Sequence, residues 1–261
     1  MIDLHNHLLP NVDDGSRSVD QSVDALRNFA DHGVTDVVLT PHLRAGDVER
    51  HGEDSIDLRQ EMLDILRPAA PAVPRLHLGF EIMIDRALPD AALVDRRYGL
   101  AGSRYYLVEF PLTVVAEFAT HALERMARAG VVPVVAHPER YTAGTVAAVT
   151  AWRAAGARIQ VDATTLTRRS ERGRKARDLV EAGLADVLAA DNHGDARVLR
   201  TGAEFLRRCG AGDLAELLTV RNPGAALADG DMVDPTAVRL TPGLLGALRR
   251  LVGRGQVRSE K

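Results

Sequence analysis

The chain has 261 residues, with 33 Lys or Arg against 36 Asp or Glu, a formal net charge of −3. At 46% apolar and 26% charged residues, its composition suits a globular α/β protein and excludes disordered, collagen-like and disulfide-stapled classes. The near-neutral balance carries no footprint for nucleic acid, Cys209 has no partner for an internal disulfide, and no apolar run approaches the roughly 18 residues of a membrane span.

Met1 leads into a strand-like Ile-Asp-Leu instead of a basic and then apolar leader, so a cytoplasmic protein is expected. A strand at 2–4 precedes a helix at 19–32, and a strand at 34–40 follows. The polar, Gly-containing stretch 43–55 reads as a long loop before a helix at 56–66, which the prolines of 68–74 end. Strands at 75–81, 105–110, 131–136, 158–162 and 186–190 then alternate with helices at 115–129, 145–155, 172–182 and 196–208. Gly33, Gly130, Gly156 and Gly183 stand just before strands, where a helix C-cap glycine belongs. Seven strands alternating with helices predict a parallel α/β sheet closed, or nearly closed, into a barrel. An open doubly wound sheet is the alternative, but the Gly-rich dinucleotide turn is missing after the first strand. From about residue 231 a tail carries an apolar pattern through 240–252 and then a charged end. Without a linker or repeat, a single domain over 1–261 is expected.

The strand ends hold the chemistry. His5 and His7 follow the first strand, His42 the second, and Glu81, Glu109 and His137 end the next three apolar runs. Asp191 and His193 close the last. In a parallel barrel these ends form one rim, so ligands distant in sequence converge. His5/His7 and Asp191/His193 are i, i+2 pairs, which strand alternation points to one face. Five histidines and three acids without sulfur make a nitrogen-and-oxygen metal site suited to Zn²⁺, Mn²⁺ or Fe²⁺. Asp13-Asp14-Gly15 offers either a further oxygen ligand or a plain turn. Arg140, directly after His137-Pro138-Glu139, and Arg197, read as starting the helix after His193, suggest an anionic substrate. His77 reads as a buried, hydrogen-bonded histidine, and His32, His51 and His121 as solvent-facing.

His5-Asn6-His7, Asp13-Asp14-Gly15, Thr40-Pro41-His42, Val108-Glu109-Phe110-Pro111, His137-Pro138-Glu139-Arg140 and Asp191-Asn192-His193 are similar to the motifs of the polymerase-and-histidinol-phosphatase (PHP) superfamily. They resemble most closely its bacterial capsule-type, manganese-dependent protein-tyrosine phosphatases, in order from residue 2 to about 229. The resemblance implies a distorted (β/α)7 barrel over that span, with 230–261 as an extension, and up to three metal ions. Mn²⁺ leads, with Fe²⁺ and Zn²⁺ also suited. Carried over residue by residue, His5, His7, Glu81 and Asp191 would hold one ion. Glu81, Glu109 and His137 would hold the second, and Asp14, His42 and His193 the third. Arg140 and Arg197 would bind the substrate.

The activity implied is hydrolysis of phosphotyrosine by metal-activated hydroxide, in capsular or exopolysaccharide biosynthesis. A tyrosine-phosphorylated protein, such as a bacterial tyrosine kinase, would be the partner. A small-molecule phosphatase acting on histidinol phosphate or a sugar phosphate, or a metal-dependent amidohydrolase, is the alternative on the same donors. A cysteine mechanism fails, because Ala215 stands six residues after Cys209 where that loop needs arginine.

Overall fold

The computed structural model describes residues 1–241, so the part of the apolar tail beyond Thr241 lies outside the described residues. In chain order the strands are β1 (Ile2–Asp3), β2 (Asp36–Leu39), β3 (His42–Arg44), β4 (Arg75–Leu78), β5 (Glu81–Met83), β6 (Tyr105–Glu109), β7 (Val132–Ala136), β8 (Arg158–Asp162) and β9 (Val187–Ala189). Between and after them run α1 (Val19–Asp31), α2 (Ala45–Leu66), α3 (Asp90–Val94), α4 (Ala116–Arg128), α5 (Val146–Ala154), α6 (Glu171–Glu181), α7 (Arg200–Arg208), α8 (Gly212–Glu216) and α9 (Asn222–Leu227). Hydroxyls of Ser18, Thr145 and Ser170 cap α1, α5 and α6 by accepting from an N–H in the first turn. The four glycines expected at helix ends all have positive φ, from 69° at Gly183 to 98° at Gly156, and so reverse the chain into the next strand.

Every strand pairing is parallel. One sheet has the order β1-β2-β4 and the other β3-β5-β6-β7-β8-β9. The expected third strand is broken in two, and the second is followed by a further short strand that was not expected. Pro41, which has no N–H to donate, separates β2 from β3, and Gly79-Phe80 separates β4 from β5. Backbone bonds cross these breaks: Gly79 N–H donates to Leu39 O at 2.9 Å and Glu81 N–H to Pro41 O at 3.1 Å. At the far edge Asn6 and Asn192 form a parallel bridge, flanked by Asp191 N–H to His5 O at 2.9 Å and His7 N–H to Asn192 O at 2.7 Å. The Asp3 carboxylate adds to this seam, accepting from the N–H groups of His5 and Ala190, both at 3.0 Å.

Alternate residues of a strand enter different apolar clusters. Val37 and Leu39 join the larger cluster while Val38 joins the smaller; Tyr106 and Val108 divide likewise from Tyr105 and Leu107. Strands buried on both faces explain the nearly continuous apolar runs in the sequence. In the smaller cluster Val38 from one sheet, with Leu4 just beyond β1, meets Leu107, Val134 and Val187 from the other. Among the described residues no helix is long and apolar enough to cross a membrane.

Two expectations need correction. Residues 43–55 are not a loop: β3 ends at Arg44 and α2 begins at Ala45, interrupted by a kink at His51 (φ −143°, ψ 32°). The helix was hidden because its first half is polar and broken by Gly46 and Gly52, so it lacks an apolar stripe of helical period. The second concerns 196–208, where the helix starts only at Arg200, leaving Arg197 in the preceding loop.

Candidate metal centre

The strand-end residues come together. His5, His7, Glu81, Asp191 and His137 are at most 2% exposed, and Glu109 is 9% exposed. His42 and His193 are half-buried and Asp14 is exposed, so the cluster has a closed floor and an open mouth. At the floor His5 Nε2 and His7 Nε2 stand 3.2 Å apart. Each lies 3.1–3.4 Å from both Glu81 Oε2 and Asp191 Oδ1.

Those two carboxylate oxygens are buried without a hydrogen bond from the described residues. An unsatisfied buried carboxylate oxygen is expensive unless a cation supplies the missing charge. Metal bonds of about 2.0–2.2 Å in a tetrahedral or octahedral shell keep donors roughly 3.0–3.5 Å apart. The four atoms have that spacing, and the residues therefore fit a divalent metal.

The outer nitrogens agree. His5 Nδ1 donates to Gln160 Oε1 at 3.0 Å and His7 Nδ1 to Asp13 Oδ2 at 2.7 Å. With the protons held there, both Nε2 lone pairs face the floor. Beside them, His137 Nε2 lies 2.8 Å from Glu81 Oε1. His42 Nδ1 is 3.1 Å from Glu81 Oε2 and 3.2 Å from Glu109 Oε1. At the mouth Asp14 Oδ1 is 3.4 Å from His42 Nε2 and 3.6 Å from His193 Nε2. Three donor groups result: His5, His7 and Glu81; His42, Glu81 and Glu109; and His7, Asp14, His42 and His193. His42 thus spans the second and third groups, one nitrogen toward each, whereas the resemblance assigned it only to the third.

Local backbone places these side chains. Gly15 is required after Asp13-Asp14, because a Cβ there would collide with the His7 carbonyl oxygen. His137 (φ 34°) and Asp191 (φ 49°) have left-handed backbone, which breaks strand alternation where they turn into the cluster. Asp191 and His193 therefore do not owe their pairing to strand pleat, contrary to the i, i+2 argument. Both lie beyond the end of β9.

Burial opposes charge on His42, Glu81, Asp191 and His193, and neighbouring groups offset it at the first three. The Glu109 and Glu81 carboxylates overcome burial to push the His42 imidazole up to about 10. Burial raises Glu81 and Asp191, but His5 and its neighbours hold both carboxyls well below the usual range. At His193 burial and the neighbouring His7 lower the imidazole. Glu81 and Asp191 are thus held as carboxylates, the form that ligates a metal.

Arg140 pairs with Asp191 Oδ2 and lies 3.6 Å from Asp162 Oδ2. Arg197 forks onto Asp195, and its Nη2 is 2.9 Å from His193 Nδ1. Both guanidinium groups border the cluster without belonging to its donors. Outside it, His77 Nε2 lies 3.1 Å from Asp36 Oδ1, half-buried rather than fully buried. His51 and His121 are exposed, while His32 is half-buried against Asn28 O at 2.7 Å.

Several supporting residues escaped the sequence reading. Gln160 also accepts the His137 N–H at 3.2 Å, and its signal was a lone amide inside the apolar strand Arg-Ile-Gln-Val-Asp. Arg59, in the second half of α2, donates to the His42 carbonyl at 2.9 Å. Glu139 accepts from Asp162 N–H at 2.9 Å; burial, with Asp162 nearby, pushes its carboxyl up to about 8.

The chain is similar to known proteins. The family of capsular polysaccharide synthesis, CpsB/CapC, matches residues 1–228. The putative tyrosine-protein phosphatase CapC of Staphylococcus aureus is 29% identical over 143 residues, 54% of either chain. The tyrosine-protein phosphatase YwqE of Bacillus subtilis strain 168 is 30% identical over 146 residues, 54% of this chain and 55% of its own. The chain spans about half the length of the curated relatives it matches. A solved structure from work on YwqE of B. subtilis and CpsB of Streptococcus pneumoniae, described as unique metal-dependent tyrosine phosphatases, superposes with a TM-score of 0.74. The two share 25% identity, over 92% of this chain and 100% of that one. The floor, the mouth and the motifs that build them lie within the matched span, and this chain belongs to the CpsB/CapC family of capsular polysaccharide synthesis.

Proposed function

We propose that the chain is a metal-dependent protein-tyrosine phosphatase acting in capsular or exopolysaccharide synthesis. One observation carries the reading: four donor atoms from His5, His7, Glu81 and Asp191 converge at metal-ligand spacing beside two arginines. In this reading His5, His7, Glu81 and Asp191 hold one ion, Glu81, Glu109 and His137 a second, and Asp14, His42 and His193 a third. Mn²⁺ is the proposed metal, with Fe²⁺ and Zn²⁺ suited to the same donors. When bound, such ions supply Lewis acidity and lower the pKa of water. Arg140 and Arg197 bind and orient the phosphoryl oxygens, and the closed floor keeps bulk water from the donors. Phosphotyrosine suits this site because the departing phenol has a pKa of about 10 and needs less protonation than an alkoxide.

The substrate proposed is a tyrosine-phosphorylated cytoplasmic protein, such as a tyrosine kinase of the capsule machinery. We propose also that the chain is one domain. Its seven strand units close as a distorted (β/α)7 barrel, a reading supported by the Asn6–Asn192 bridge and the cluster shared by both sheets.

Metal-loaded protein assayed on a phosphotyrosine peptide, histidinol phosphate and a phosphorylated N-acetyl sugar tests the activity. Turnover of the peptide well above the other two, lost on chelation, is expected. Preference for either small molecule would assign the site to metabolite hydrolysis instead.

A further inference from the structure

Positions 168–177 read Arg-Arg-Ser-Glu-Arg-Gly-Arg-Lys-Ala-Arg, six cations against Glu171 alone, in a chain of net charge −3. Folding uses some of them. Arg174 pairs with Asp178 at 2.7 Å, and Arg177 donates to the carbonyls of Leu166 and Arg168 at 2.8 and 2.9 Å. Arg168, Arg169 and Arg172 are exposed and make no ion pair among the described residues. Arg172 sits in the first turn of α6, where the helix end is already positive, so its charge works against the helix.

Position gives the cluster a use. Arg172 and Lys175 line an open hollow of about 270 Å³ together with Glu139, Arg140, Tyr141 and Glu171. Lys175 Nζ donates to the Tyr141 carbonyl at 2.9 Å, which leaves its charge without a carboxylate. Arg140 lines the same hollow and also pairs with Asp191 at the metal centre, so cationic side chains extend from the centre to the first turn of α6, with Glu139 and Glu171 among them.

We propose that this face docks a carboxylate-rich stretch of polypeptide flanking the substrate phosphotyrosine. The phosphotyrosine rests on the phosphatase reading above; the docking does not require hydrolysis. A peptide is favoured over a lipid surface because the hollow is concave, which admits side chains but not a bilayer plane.

The test compares peptides of one length with flanking Glu or flanking Gln, each with and without phosphate on tyrosine. Binding to the full chain is read by fluorescence anisotropy. The phosphate-free Glu peptide should bind roughly three- to tenfold tighter than the Gln peptide at low salt, with the preference gone at about 0.5 M salt. R168Q/R169Q/R172Q should abolish the preference, and R168K/R169K/R172K should keep it. Equal binding of the two peptides, or a preference that survives in the Gln triple variant, overturns the proposal. Arginine-dependent capture of phosphatidylglycerol vesicles without peptide preference also overturns it, in favour of a lipid surface. Hydrolysis of the phosphorylated pair is followed in parallel. Absence of turnover with the binding preference intact would sink the phosphatase reading and leave the docking face standing.

Discussion

His7 Nδ1 lies 2.7 Å from Asp13 Oδ2, and this bond separates the roles of two adjacent acids. Asp13 also accepts from the N–H groups of His42, at 3.0 Å, and Gly15, at 2.9 Å, so its oxygens are committed to holding the loop and the ring. Burial would raise its carboxyl, but His7 and these bonds bring it down to about 2. Asp14 instead extends to the mouth beside His42 and His193.

Replacing Asp13 with Ala should leave the donor set intact but free the His7 ring to rotate. Metal affinity is expected to fall about 10- to 100-fold, as for other carboxylates that orient a ligating histidine. Competition against a chromogenic chelator measures it. Unchanged affinity would reduce Asp13 to a turn-closing residue.

Chelation and the lone thiol can be set against each other. Cys209 caps α7 at 6% exposure, and burial raises its thiol, so it is no nucleophile. EDTA should abolish hydrolysis and Mn²⁺ restore it, while Cys209→Ser leaves kcat within about twofold. A variant with normal metal content, native circular dichroism and lost turnover would contradict the metal mechanism.

Arg140→Ala and Arg197→Ala should each remove a charge-assisted contact to the phosphoryl group. Such contacts contribute about 1.5–3 kcal/mol, or roughly ten- to a hundredfold in kcat/KM. Both also reach the same oxygen of the Asp191 donor, Arg140 directly and Arg197 Nη1 at 3.4 Å, so either loss should alter metal affinity as well, Arg140→Ala the more. Normal kinetics in both variants would make these arginines plain surface charges.

A fourth expectation concerns acid stability, away from the metal centre. Burial raises the Asp36 carboxyl, but the Arg75 fork at 2.8 and 3.0 Å and His77 outweigh it and lower the pKa. A carboxyl depressed in the folded state stabilises the protein above its unfolded pKa of about 3.9 and loses that contribution as pH falls through the folded value. Urea midpoints should therefore drop more steeply below about pH 4 in the parent than in Asp36→Asn. Parallel pH profiles for the two would show that Asp36 contributes nothing.

The donors were legible because each ends an apolar run, and parallel topology converts strand ends into one rim. His5 and His7 flank the Asn6 bridge beyond the end of β1, and their Nε2 atoms meet at 3.2 Å. Strand alternation could not account for His137 and Asp191, whose left-handed backbone depends on tertiary context. The 45–55 half of α2 was illegible because its polar residues and two glycines carry no period. The break at Gly79-Phe80 lies inside an expected strand, and β3 opens a polar stretch without strand pattern, so only the hydrogen-bond ladder shows them. Which of Asp13 and Asp14 faces the donors is likewise a matter of loop closure, set here by the close approach of Gly15 to the His7 carbonyl.

The left-handed backbone at His137 and Asp191 sets durability against chemistry. Neither residue is a glycine, and each such conformation costs on the order of 1–3 kcal/mol that the surrounding packing must offset. Glycine or asparagine would occupy either position with less strain and would not restore the imidazole or the carboxylate. Screening this scaffold for heat resistance alone would therefore favour inactive survivors at these two positions. Engineering for thermal tolerance should hold both fixed and seek its gains elsewhere in the chain.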